Sequence, residues 1–157
     1  IDLLYWEGAG IYDPETGAWT PSASGIFWFD MEVWNVGAIY SDFFRGLSAM
    51  HPELNFTNLQ EDYSRVDMEA GTGTVGLSFD LNGTHYEMDA EYYYDWFDEG
   101  ILMQILRMLR TDENSENLYF ANDGQALFLY YGSAEQVKQL ERKTGIDFSD
   151  TYRFIFP

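Results

Sequence analysis

The segment 75–90 constrains the fold most, because it predicts one β-hairpin in a single register. Apolar side chains alternate with polar or small ones along both arms, which is typical of strands with one buried face. The Asn82-Gly83 dipeptide between the arms favours a two-residue turn. Such a turn pairs Asp80 with His85 and puts the apolar residues of both arms on one face. The same register gives four further pairs: Leu81 with Thr84, Phe79 with Tyr86, Leu77 with Met88 and Val75 with Ala90.

Other segments also have the signatures of strands and turns. Residues 12–17 contain Pro and Gly at turn positions and predict an N-terminal hairpin. Residues 26–33 alternate as a strand does. Residues 118–121 and 126–131 flank a turn and are apolar at almost every position, so we expect strands that are covered on both sides or lie at a helix interface. Three weaker assignments complete the set: a strand at 54–59, an edge strand at 152–156, and an ambiguous segment 61–73 that ends in a loop.

Three segments have the 3–4 spacing of amphipathic helices. The first follows Asn35, which we expect to be its N-cap, and ends before Pro52. The second follows Asp95, the expected cap, and has arginines in its last turn, where cations suit the helix dipole. The third begins with a capping-box pattern at Ser133 and ends at Gly145.

Together these patterns predict an α+β fold, with a mostly antiparallel sheet built from hairpins and about three helices packed on it. The length of 157 residues fits a single domain spanning 1–157. Within it, residues 1–34 form an N-terminal β-hairpin region and strand. Residues 35–157 form a body of helix, hairpin, helix, hairpin and helix.

The net charge of −19 restricts the partners. The first 106 residues hold 19 of the 27 acidic side chains and two arginines, Arg45 and Arg65. Such a surface repels nucleic-acid phosphate and anionic lipid, so we expect no direct binding to nucleic acid. No apolar run is long enough for membrane insertion. A basic protein surface, a cation or a neutral, sugar-like ligand remains, and adaptation to high salt would also account for the acidity.

Motifs for catalysis or cofactor binding are absent from the sequence. The chain has no cysteine, which excludes thiol catalysis and disulfide frameworks. The loose glycine pattern at 71–76 leads into a strand and not into a helix, unlike a dinucleotide-binding loop. Of the two histidines, we expect His85 to form a cross-strand pair with Asp80 and His51 to lie at a helix end. We therefore expect no cofactor, with calcium as the one candidate exception.

The strand and helix start around 87–99 form the candidate site. Three carboxylates alternate on the outer face of one strand, and further acids and aromatic rings follow. Like charges at this spacing repel one another unless a cation or a basic partner shares them. These residues predict either a docking face for a basic protein or a calcium site, and an ordinary solvated sheet face is the alternative interpretation. The candidate residues are Glu87, Asp89, Glu91, Tyr93, Asp95, Trp96, Asp98 and Glu99.

Three functions are consistent with these features. We favour a non-catalytic binding or interaction domain of an exported bacterial protein, because absent cysteine and a first residue other than Met fit an extracellular or cell-surface location. The alternative is a cytoplasmic acidic inhibitor, either an immunity protein or a nucleic-acid mimic, that blocks a basic site. The third is a hydrolase that uses carboxylates, which would need a pocket with a strongly raised carboxylate pKa.

Overall fold

The computed structural model describes residues 2–22, 24–33, 36–109 and 116–148. In this part of the chain, four helices and eight strands form an α+β fold with antiparallel sheets built from hairpins, as predicted. The helices are α1 (Asp2–Gly8), α2 (Ile39–Met50), α3 (Glu99–Leu109) and α4 (Ala134–Thr144). The strands are β1 (Ile11–Asp13), β2 (Ala18–Thr20), β3 (Ile26–Asp30), β4 (Phe56–Asp67), β5 (Thr72–Leu81), β6 (Thr84–Glu91), β7 (Asn117–Asn122) and β8 (Ala126–Gly132).

The strands form three sheets, in the orders β1–β2, β3–β8–β7 and β4–β5–β6. The hairpin β5–β6 has the predicted register, including the pair of Asp80 with His85. The hairpins β1–β2 and β7–β8 are also present. Short-range turn chemistry was therefore sufficient to predict these three connections.

The sheet β3–β8–β7 is covered on both faces, which explains the unbroken apolar sequence of its hairpin. On one face, Phe29 and Leu129 belong to the main core together with residues of α2 and α3. On the other face, Tyr119 and Phe128 pack with Val137 of α4 in a second cluster. Because both faces of the β7–β8 hairpin are largely covered, the alternation that marks half-exposed strands is lost there.

The sheet β4–β5–β6 differs, because its strands alternate between buried and exposed positions. The inward residues Val75, Leu77 and Phe79 of β5 are almost fully buried in the main core. Helix α2 contributes its buried face to the same core. The outward positions of β6 are exposed, so this sheet presents one face to solvent.

Backbone contacts join the segment that follows β3 to the segment that follows β6. The N–H of Val33 donates to the carbonyl of Asp95 at 2.6 Å, and the N–H of Phe97 donates to the carbonyl of Met31 at 2.8 Å. The main core takes residues from both predicted parts of the chain, residues 1–34 and 35–157. None of the described helices has both the length and the apolar character needed to cross a membrane.

The predicted start of the second helix, directly after Asp95, was wrong. Helix α3 begins at Glu99, and Asp98 accepts the N–H of Gly100 at 2.7 Å, so Asp98 and not Asp95 serves this terminus. The segment before it is held in non-helical geometry by the pairing with Met31. That pairing joins residues far apart in sequence, and helical periodicity contains no signal for it.

The start of the first predicted helix also lies later than expected. Helix α2 begins at Ile39, after Ala38, whose side chain makes no capping bond. Val36, predicted as helical, lies in a turn, and Asn35 lies outside the described residues. The capping box at Ser133 and the left-handed Gly145 that ends α4 are both confirmed.

Two elements were missed or only partly predicted. The weak strand at 54–59 and most of the ambiguous segment 61–73 form the single 12-residue strand β4, with irregular register after Thr57 and after Asp62. These irregularities break the alternation and so hid the strand. The short helix α1 was not predicted. The predicted edge strand at 152–156 lies outside the described residues.

Candidate binding face

The exposed side of β4–β5–β6 carries the charged residues that form the candidate site, and we call it the acidic face. Strand β6 exposes Glu87, Asp89 and Glu91 at alternate positions, as predicted. Their side chains are open to water; that of Glu87 is 81% exposed. The acidic face is defined by seven residues: Asp62, Arg65, Asp80, His85, Glu87, Asp89 and Glu91.

The acidic face is grooved because its central strand has small outward side chains. Thr74, Gly76 and Ser78 of β5 lie between longer side chains of β4 and β6. The resulting open groove has a volume of about 550 Å³. Its lining includes Gln60 and Glu87, which flank Ser78 on either side.

An ion pair crosses this groove. The guanidinium of Arg65 on β4 donates to the carboxylate of Asp89 on β6 through two bonds, of 3.1 and 2.5 Å. The arginine passes over Gly76, where an added Cβ would lie 3.2 Å from one guanidinium nitrogen. The bonds from Arg65 hold the pKa of Asp89 below its usual value, because they stabilise the ionised carboxylate. Both groups are half exposed, so salt screens this pair.

The predicted histidine pair is also present on the acidic face. Nδ1 of His85 lies 2.9 Å from a carboxylate oxygen of Asp80, and its Nε2 lies 3.8 Å from Glu87. Asn58 donates to the other oxygen of Asp80 at 2.6 Å. The bond from Asn58, followed by the interaction with His85, lowers the pKa of Asp80. The imidazole is therefore bracketed by two acids on opposite nitrogens.

Both basic side chains of the first 106 residues are engaged within the fold. Arg65 pairs with Asp89, as above, and Arg45 pairs with Asp42 one helical turn away. The Arg45 guanidinium also lies 5.4 Å from the ring centroid of Trp19. Neither is left to neutralise the remaining acids of the acidic face. The acidic face therefore has an excess of carboxylates over basic side chains.

The candidate residues after β6 have structural contacts and do not lie on the acidic face. Asp98 accepts the N–H of Glu91 at 2.8 Å and that of Gly100 at 2.7 Å, which connects the end of β6 to α3. Glu99 accepts a bond from Asn122 of β7 at 3.1 Å. Asp95 is half-buried and contributes its carbonyl to the contact with β3.

The aromatic candidates separate into a buried and an exposed group. Trp96 is half-buried against the main core and forms a bridge with Glu32. Tyr93 and Tyr94 are exposed and pack edge to face, with ring centroids 5.9 Å apart. The Tyr94 ring lies against Gly71, where a Cβ would overlap it. Two tyrosines thus lie just beyond the end of β6, beside the turn that joins β4 to β5.

The carboxyl groups with a shifted pKa do not match a general acid. Every described carboxyl group with a shifted pKa, namely Asp13, Asp62, Asp80 and Asp89, has it lowered. In Asp62 the main cause is the backbone bond from Ser64, followed by its hydroxyl. A carboxylic acid that donates a proton near neutral pH needs a raised pKa. These four pKa shifts therefore give the hydrolase hypothesis no support.

The calcium hypothesis gains no support from the geometry either. Outward positions along one strand are separated by about 7 Å, which is too far for carboxylates to share an ion without rearrangement. Asp89, the middle acid, already binds Arg65. Within the described residues, the side chains whose potential ligand atoms converge are those of His51, Glu53 and Glu116, at another place in the fold.

Sequence reasoning missed the β4 contribution to this surface. Asp62 and Arg65 lie on the acidic face because β4 pairs with β5, but the irregular register concealed the strand. It also missed Glu61, which points to the other side of the sheet and binds the start of α2. The position of β4 directly before the predicted hairpin was the available clue, because a strand there would be expected to pair with β5 and bring these residues to the sheet.

Comparisons of the chain with protein-family models, with curated protein sequences and with solved structures found no match.

Proposed function

We propose that this chain is a non-catalytic binding domain whose acidic face docks a basic protein segment rich in lysine and arginine. One observation supports this proposal above others: the exposed face of β4–β5–β6 carries five carboxylates and a single arginine, which is already paired. The partner inferred here is defined by its positive charge. Its docking would place cationic side chains in the groove between β4 and β6.

Electrostatic complementarity explains why a basic partner is favoured. Neighbouring carboxylates repel one another, and a cationic partner relieves this repulsion as it binds. Such surfaces also accelerate encounter with an oppositely charged partner, an effect that falls steeply with ionic strength. Glu87 and Glu91 are free of the Arg65 pair, so they are the first contacts expected for incoming lysines.

A neutral, sugar-like ligand is less consistent with this geometry. Binding of sugars to proteins uses exposed rings on which the ligand stacks, and Trp96 is half-buried in the core contact. The exposed Tyr93 and Tyr94 lie edge to face, which offers no broad flat platform. We place these tyrosines at the margin of the docking face, where amphipathic rings commonly contribute to protein interfaces.

Two hypotheses place this partner in different compartments. An exported binding domain would meet it outside the cell, and an acidic inhibitor would meet it in the cytoplasm. Both use the same chemistry, since an inhibitor that blocks a basic site also presents spaced carboxylates to cations. We retain the exported binding domain as the proposal, on the composition discussed above. The experiment below tests the shared chemistry.

The test measures the affinity of a synthetic Lys- and Arg-rich peptide by isothermal titration calorimetry, with a Glu-rich peptide of equal length as the negative probe. The variant E87K/E91K reverses two exposed acids of the acidic face and leaves Asp89 with Arg65. The matched control E7K/E15K makes the same charge change at exposed positions of α1 and the β1–β2 turn. We expect the first variant to weaken binding by about tenfold or more, which is about 1.4 kcal/mol.

The control variant should bind nearly as well as the parent, because it leaves the acidic face intact. Equal weakening by both variants would show that the peptide responds to overall charge, and would overturn the proposed docking face.

A further inference from the structure

Three potential metal ligands converge at the end of α2 and the start of β7, away from the acidic face. They are an imidazole nitrogen of His51 and one carboxylate oxygen from each of Glu53 and Glu116, and these atoms all lie within 4.8 Å of one another. Nε2 of His51 lies 3.7 Å from Oε2 of Glu116, which is longer than a hydrogen bond. We call these three residues the His51 cluster.

The backbone fixes two of these residues relative to each other. His51 ends α2, and its carbonyl accepts the N–H of Leu54 at 2.9 Å, which closes a tight turn through Pro52. Leu54 is fully buried and anchors that turn to the core. Glu53 is therefore held close to the imidazole by a short connection.

The third residue comes from a distant part of the sequence. Glu116 directly precedes β7, whose first residue, Asn117, pairs with Gly132 of β8. Because β8 also carries Tyr131, the same sheet positions Glu116 and this tyrosine. The convergence is a product of the tertiary fold and is not visible in the spacing of the residues.

Tyr131 contacts two residues of the His51 cluster and restrains their side chains. Its ring lies against the His51 ring, with centroids 4.7 Å apart and an interplanar angle of 33°. Its hydroxyl donates to the carboxylate of Glu53 at 2.8 Å. Ligands of bound metals are commonly oriented by such neighbouring bonds. One side chain thus restrains both the imidazole and one carboxylate.

We propose that His51, Glu53 and Glu116 bind a divalent transition-metal ion, with Zn²⁺ as the preferred ion. One imidazole nitrogen and two carboxylate oxygens are a ligand set that zinc accepts. Calcium and magnesium favour oxygen ligands alone, so the histidine argues against them. A metal with bonds of about 2.1 Å holds neighbouring ligand atoms about 3.4 Å apart. The exposed carboxylates therefore need to move inward by about 1 Å.

Coordination through Nε2 changes the protonation of the ring in a defined way. Nδ1 of His51 accepts the N–H of Glu53 at 3.3 Å, so in the neutral metal-free ring the proton is on Nε2. A metal at Nε2 requires the proton on Nδ1, and the 3.3 Å bond is then lost. This bond is long, so its loss costs little stability. The move of the proton from Nε2 to Nδ1 can be detected by NMR and would report metal binding.

The experiment follows the two imidazoles by long-range ¹H–¹⁵N NMR while ZnCl₂ is added, and measures thermal unfolding in parallel with ZnCl₂, MgCl₂ or CaCl₂. The chain has two histidines, so the variant H85Q assigns both signals and serves as the matched control. His85 also lies between two carboxylates, but they face opposite ring nitrogens and do not converge on one ion.

We expect zinc to shift the His51 signals to the Nδ1-protonated tautomer and to raise the unfolding temperature equally in the parent and in H85Q. H51A should abolish both effects. E116Q leaves His51 and Glu53 in place and should weaken zinc binding by about tenfold or more, because loss of even an outer-shell partner costs about 10–100-fold. If zinc leaves the His51 signals unchanged, acts mainly on His85, or stabilises H51A as it does the parent, the inferred site is wrong. Equal stabilisation by magnesium or calcium would also overturn it.

Discussion

Replacement of Glu61 by alanine should destabilise the fold far more than replacement of an acid on the opposite side of the same sheet. Glu61 extends from β4 toward the N-terminus of α2. Its carboxylate accepts the N–H of Tyr40 at 3.3 Å, the N–H of Ser41 at 2.8 Å and the Ser41 hydroxyl at 2.6 Å. Tyr63 donates its hydroxyl to the same carboxylate at 2.6 Å. This strand side chain therefore caps a helix whose own N-cap residue makes no side-chain bond.

The size of the effect follows from these contacts. Loss of a helix cap costs about 1–2 kcal/mol. The Tyr63 hydroxyl is half-buried and also accepts the N–H of Ile39, and polar groups left without partners add about 1–3 kcal/mol. Because these terms overlap, we expect E61A to lower the free energy of unfolding by about 2–4 kcal/mol, a large part of the usual total of about 5–15 kcal/mol.

Urea unfolding at neutral pH, followed by tryptophan fluorescence, measures the change. The matched control is E87A, which removes an acid from the exposed face of the same sheet and should alter stability by about 0.5 kcal/mol or less. E61Q should lie between the parent and E61A, because an amide retains one accepting oxygen. If E61A and E87A have the same stability within about 0.5 kcal/mol, the capping role assigned to Glu61 is wrong.

Three further predictions concern packing, capping and pH. G46A should destabilise the protein by about 1–3 kcal/mol in urea unfolding, because the new Cβ would overlap the Phe27 ring; unchanged or higher stability would refute this. S133A should cost about 1 kcal/mol through loss of the capping box, and an unchanged urea midpoint would contradict it. R65A should raise the pKa of Asp89 toward 3.8, as measured by carboxyl ¹³C NMR. Because the pKa of Asp89 is lower in the folded state than in the unfolded state, the ion pair stabilises the fold at pH values above the unfolded-state pKa. This stabilisation is lost as the pH falls through the folded-state pKa. An Asp89 pKa that is the same in R65A and in the parent would contradict the assignment.

The hairpins could be predicted because their determinants are local. The Asn82-Gly83 turn sets the register of β5 and β6, and the alternation along both arms agrees with it. The capping box at Ser133 and the glycine at the end of α4 are equally local. By contrast, the start of α3 depends on a contact with Met31, and the start of α2 depends on Glu61. Neither partner is near in sequence.

The candidate site could likewise be predicted only where its residues belong to the β5–β6 hairpin. The exposed acids of β6 follow from the hairpin alternation and the net charge, and the structure places them as expected. The residues that complete the acidic face, Asp62 and Arg65, lie on a strand with irregular register. Asp95 and Asp98 were included because they follow closely in sequence, yet the chain turns away at the end of β6. Closeness in sequence to β6 therefore did not predict which residues lie on the same face of the sheet.

The most direct test of the acidic face is a ¹H–¹⁵N NMR titration of the ¹⁵N-labelled protein with the Lys- and Arg-rich peptide. We predict that the largest changes in amide shifts map to β4, β5 and β6 around Asp62, Ser78 and Glu87, and that E87K/E91K needs about tenfold or more peptide to produce them. Changes spread evenly over the exposed acids, or centred on α1 and β1, would contradict the account.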